Sequence, residues 1–163
     1  MIDIFCYGAA LVLILSGFSK LISHSNTKHF FLKYIAINDI SMTFMALLFP
    51  LFEIVIGVGL FIYDHPILYI SALSLILLFI IINSYAFINK AEEDCKCFGN
   101  LIPTKTGLGG LIQSVCMFLS IVPLLYFDKG NMNILDFGNV FYLVPVLLWF
   151  TTLIIIRRNV EVV

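Results

Sequence analysis

The sequence predicts an all-α integral membrane protein, a four-helix transmembrane bundle with a fifth C-terminal span. Two observations carry that prediction. Hydrophobic residues make up 61% of the 163-residue chain and charged residues 12%, with a mean hydropathy of +1.08. A soluble domain has about 25% charged and about 45–50% apolar residues. The apolar residues also fall into five runs of about 20, the length at which a helix crosses a bilayer. The chain is therefore expected to form one transmembrane domain in a multi-pass protein of the cytoplasmic (inner) membrane, with lipid as its surroundings. A net charge of −1 without a basic block gives nucleic acid no electrostatic footprint.

The first span covers about residues 4–22. It is apolar apart from Cys6, Ser16, Ser19 and Lys20, and Gly17 with Ser19 lets a neighbouring helix come close. Asp3 stands where a secretory signal carries a basic residue, and no small-residue cleavage pattern follows. The run therefore reads as a retained span. Residues 23–40 mix polar side chains with Phe30, Phe31, Leu32 and Tyr34, the pattern of an amphipathic helix lying in the interface.

The second span, about 41–63, carries Pro50 and Glu53 near its middle. Asp64-His65-Pro66 makes a tight turn, since proline opens a helix well and cannot continue one. The third span, about 67–88, ends with Asn83, Ser84 and Tyr85. A polar gap at 89–106 contains Asp94-Cys95-Lys96-Cys97-Phe98-Gly99. The fourth span, about 108–127, follows Gly107, Gly109 and Gly110 and contains Cys116 and Pro123. The fifth, about 137–156, carries Pro145 and Trp149 and is closed by Arg157-Arg158.

Cys95 and Cys97 are the concentrated chemistry of the chain. A thiolate is the nucleophile of disulfide exchange, so a working cysteine needs positive neighbours or a helix N-terminus. Lys96 lies between the two thiols, and the glycine-rich start of span four offers free backbone N–H groups. Glu92, Glu93 and Asp94 oppose ionisation. A disulfide across one residue closes a strained ring of the labile, oxidising kind. The same pair also reads as a soft-metal site lacking further ligands, or as two unconnected thiols. No metal is assigned.

Glu53 near the bilayer centre costs at least about 2.5–3.5 kcal/mol, so such a group normally faces the bundle interior. Lys20 is its expected partner, either as a structural staple or as part of a functional site. His24 and His29, on the cysteine side, are candidate proton shuttles or solvated interface residues. Cys116 lies about 9–14 Å below the gap at 1.5 Å per residue and is either a resolving thiol or an apolar filler. Cys6 is about 30 Å away on the opposite face.

The Cys95-x-Cys97-Phe98-Gly99 signature after a third span joins Gly17-Phe18-Ser19-Lys20-Leu21 and Phe52-Glu53-Ile54-Val55-Ile56-Gly57. Together they resemble the MauE/DoxX-like redox-associated membrane proteins, over roughly residues 5–127 of this chain. The resemblance implies a helical bundle that works with a thioredoxin-like partner to make or maintain disulfides in a client. It makes Cys95 and Cys97 the redox pair, and Lys20 and Glu53 the family's intramembrane polar positions. Gln113-Ser114 departs from the pattern, where an Arg-Asn-like pair is usual. The family's archetype serves maturation of methylamine dehydrogenase, and no residue here points to that client. Quinone is a candidate electron acceptor, as in the DsbB and VKOR types, without a legible quinone motif. The alternative is a non-enzymatic assembly, immunity or transport factor whose cysteines are structural or bind metal.

Five spans put residues 23–40, the cysteine gap and the C-terminus on one face. That face holds Lys20, Lys28, Lys33, Lys90, Lys96, Lys105, Arg157 and Arg158, leaving Lys129 alone on the other. The positive-inside rule places such a face in the cytoplasm. Disulfides persist in oxidising compartments, however, and the resemblance calls for a partner outside the cell. We expect the pair outside the cytoplasm.

Overall fold

A computed structural model of the chain describes residues 2–23, 25, 39–88, 108–126 and 140–160. These residues form α1 (Ile2–Ile22), α2 (Asp39–Ile62), α3 (Pro66–Ile88), α4 (Leu108–Ile121) with one 3₁₀ turn after it (Val122–Leu125), and α5 (Val140–Val160). Four stretches are long and apolar enough to cross a membrane: Asp3–Ile22, Thr43–Ile62, Pro66–Tyr85 and Leu108–Leu125. With α5 as a fifth, C-terminal helix, the fold is an all-α membrane bundle. The interfacial helix expected at 23–40 falls almost wholly outside the described residues.

The bundle is organised around α1, which packs against α2, α4 and α5, while α3 bridges α2 and α4. Helices α1 to α4 thus close a ring. Among the described residues α5 touches α1 and α4 but neither α2 nor α3, so it sits at the edge. Small residues explain why α1 and α2 approach so closely. A Cβ on Gly17 would meet the Pro50 carbonyl oxygen and Ile54 Cγ1, each at 2.7 Å, and one on Gly57 would meet the Ala10 carbonyl oxygen at 3.0 Å. Apolar lipid gives helices no hydrophobic reason to associate, so backbone approach of this kind, with its dispersion contacts, drives the pairing.

The turn between α2 and α3 is built as its sequence suggests. Pro66 opens α3, and the Ile67 and Leu68 N–H groups donate to His65 Nδ1 at 3.3 Å and His65 O at 2.9 Å. Tyr69 Oη donates to Asp64 Oδ1 at 2.7 Å, tying the turn to the helix it precedes. Span four ends differently from a plain helix. The α-helical pattern stops at Ile121, and Pro123, which lacks an N–H, carries the chain into the 3₁₀ turn.

The usual distribution of polarity is inverted. Large apolar side chains such as Phe52, Val55, Ile67, Ile81, Leu148 and Ile155 point outward. Inside lie Leu13, Leu60, Ile76, Ile121 and Leu153 together with Ser19, Lys20, Glu53, Asn83, Gln113 and Arg157. An apolar exterior around a polar interior is the arrangement hydrocarbon solvent selects.

Candidate functional site

The buried polar residues gather towards one end of the bundle. Lys20 is two residues from the end of α1, Asn83 and Gln113 each five from the ends of α3 and α4, and Arg157 three from the end of α5. Because α2 extends beyond the last turn of α1, Glu53 comes level with Gly17, against which its Cβ packs. This is the end where the chain leaves α3 at Ile88 and enters α4 at Leu108. The Cys95-x-Cys97 motif lies between those two positions in sequence.

Lys20 and Glu53 form a buried ion pair, with Lys20 Nζ donating to Glu53 Oε1. Glu53 is 0% exposed and faces the interior. Ser16, one turn before Lys20, hydrogen-bonds the same carboxylate. The ammonium is also 4.4 Å from the centroid of the Phe79 ring and 5.2 Å from that of Phe49. Those rings meet edge to face, their centroids 5.7 Å apart. A cation between two ring faces and a carboxylate replaces its lost hydration with directed electrostatics.

Two further groups complete this layer. Asn83 Nδ2 donates to the Phe79 carbonyl oxygen at 2.8 Å, and its side chain fills the space where Gly110 lacks a Cβ. Arg157, 5% exposed, donates from Nη1 to Gln113 Oε1 at 3.0 Å. It is near enough to Lys20 for the two charges to act on each other. Four atoms of the layer, Ser19 Oγ, Glu53 Oε2, Asn83 Oδ1 and Gln113 Nε2, are buried without a hydrogen-bond partner among the described residues. Such a layer can hold charge, and exchange protons, within an apolar surround.

Cys95, Lys96, Cys97, His24 and His29 lie outside the described residues. Cys116 is a half-buried free thiol on α4, one turn beyond Gln113, and Ser120 Oγ donates to its carbonyl at 2.7 Å. Cys6 is wholly buried near the start of α1, about 21 Å from Lys20 at 1.5 Å per residue. Among the described residues no three His, Cys, Asp or Glu side chains converge as metal ligands would.

The family model described as methylamine utilisation protein MauE matches residues 1–127. The chain belongs to the MauE family. The match bears on the MauE side of the resemblance and not on the DoxX-like side. Neither a curated protein nor a solved structure matches the chain. In this MauE protein Lys20, Glu53, Asn83 and Gln113 lie within the matched region, and Arg157 lies beyond it. Arg157 is also the residue that sequence reasoning missed, because a charge closing a span reads as an interface anchor. Gln113 was legible as a departure from the family pattern, but not as the acceptor of a guanidinium from another helix.

Proposed function

We propose that this multi-pass membrane protein is a thiol–disulfide redox protein, an electron relay or oxidoreductase acting with a thioredoxin-like partner. Cys95 and Cys97 are the exchanging pair. One observation carries the reading: in a MauE family member, a buried Lys20–Glu53 pair occupies the bundle end at which the cysteine-bearing segment begins and finishes. In this reading all five helices cross the cytoplasmic membrane, and the pair faces outward.

A thiolate of the pair attacks the partner's disulfide, forming a mixed disulfide and expelling one partner thiolate. The second cysteine then attacks the mixed disulfide, releasing the partner as a dithiol and leaving a Cys95–Cys97 disulfide. Two electrons pass to the partner, whose thiolates take up two protons as the pair gives up two. Run in reverse, the same exchange oxidises the partner for disulfide formation in a client.

Trapping thiols in acid-quenched cells with a mass-adding maleimide tests this reading. A working pair divides between reduced and oxidised forms, and a reductant added before quenching shifts it wholly to the reduced form. A pair that stays fully reduced under oxidising growth contradicts the proposal.

A further inference from the structure

We infer that the C-terminal helix completes the intramembrane charge site, with Arg157 as a positioning residue that holds Glu53 in its charged form alongside Lys20. The inference is independent of the cysteines and does not rest on the redox reading. It concerns a segment that the family match, ending at residue 127, does not include.

Three observations lead to it. First, α5 is docked by specific contacts along its length. Trp149 packs so closely on Gly8 that a Cβ there would lie 2.6 Å from Trp149 Cδ1. The same ring meets Phe5 edge to face at 4.9 Å and donates from Nε1 to Ser120 Oγ at 3.2 Å. Leu153, one turn on, is fully buried in the core. Second, a further turn along the same face brings Arg157 into the polar layer, where Gln113 Oε1 orients its guanidinium. Arg158, the next residue, is exposed, so burial is specific to one of the two arginines. Third, the buried guanidinium acts electrostatically on Lys20, whose ammonium is bonded to Glu53. A cation kept within an apolar bundle is normally retained for function or for pairing. In a medium of low effective dielectric its field reaches a carboxylate beyond direct contact. The site is therefore a three-charge arrangement, Lys20–Glu53–Arg157, contributed by α1, α2 and α5.

The test uses the full-length protein in membranes and a hydrophobic carbodiimide, which modifies a buried carboxyl in its protonated form. Modification of Glu53 is followed by mass spectrometry, with Glu53→Gln as the blank. Arg157→Gln keeps an amide that can donate to Gln113 but removes the charge, and modification of Glu53 should rise several-fold. Arg157→Lys should return it close to the wild-type rate. Gln113→Leu, which leaves the guanidinium unoriented, should raise it by a smaller factor. Emission from Trp149, the one tryptophan of the chain, reports whether α5 stays docked in each variant. If either neutral variant folds with α5 docked and Glu53 reacts at the wild-type rate, the inference is overturned. It is equally overturned if Arg157→Lys behaves as Arg157→Gln does, since a role in packing alone would not distinguish charge from shape.

Discussion

Lys20 of α1 donates its ammonium to the carboxylate of Glu53 on α2, and both side chains are withdrawn from lipid. Removing one member of a buried pair leaves the other uncompensated, which costs about 3–5 kcal/mol. Lys20→Met and Glu53→Leu should each destabilise the bundle on that scale, and the double variant should regain most of the loss. Unfolding curves in mixed micelles measure all three. Additive losses would mean that the two residues do not act as a pair. If the double variant is stable yet redox-inactive, the pair serves more than structure.

The approach of α1 to α2 at Gly17 and Gly57 makes a second prediction. Gly17→Val drives a branched side chain into the Pro50 carbonyl and Ile54, so the helices must separate. Overpacking of this kind costs about 1–3 kcal/mol. Val58→Ala, on the exposed side of α2, serves as the control and should change stability little. Equal thermal midpoints for Gly17→Val and wild type would contradict the packing described.

Gly110 is held to glycine by a side chain rather than by backbone. A methyl there collides with Asn83, so Gly110→Ala should destabilise, and Gly110→Ala/Asn83→Ala should recover much of that loss. Comparing the single and double variants by thermal unfolding isolates the contact.

Much of this arrangement was legible because membrane sequences state their spans openly. Apolar runs interrupted by Asp64-His65-Pro66 and by the 89–106 gap give the helices, and an isolated Glu53 calls for a cation. Lys20 was identifiable because it is the charged residue on the adjoining helix. The position of Arg157 was hidden for a physical reason. A basic residue at the end of a span either snorkels to the interface or turns inward, and only the packing of α5 on α1 and α4 decides which. The central place of α1 was equally illegible, since hydropathy reports how apolar a helix is and not how many neighbours it has. The end of α4 at Ile121 follows from Pro123, whose effect within an apolar run is easily passed over. Cys95 and Cys97 lie outside the described residues and rest on sequence and family alone.

Sidedness supplies a fourth prediction. Cys6 is wholly buried and makes a poor reporter, whereas Asp64 is exposed in the turn at the opposite end from Lys20. In a Cys6→Ala/Cys116→Ala background, Asp64→Cys should react with an impermeant maleimide from the cytoplasmic side, and Cys95 and Cys97 from the outside. Labelling of all three from one side would contradict the odd number of crossings.

The central claim is that Cys95 and Cys97 exchange disulfides with a second protein, and mixed-disulfide trapping tests it most directly. A Cys97→Ser or Cys95→Ser variant is expressed in cells quenched with acid, and its adducts are separated without reductant. The account predicts that one of the two variants accumulates a covalent adduct, which reductant dissolves and which contains a thioredoxin-like protein. The Cys95→Ser/Cys97→Ser variant should form none. Absence of any adduct from both single variants, with each protein folded and in the membrane, would contradict the redox account and leave a structural or metal-binding role for the pair.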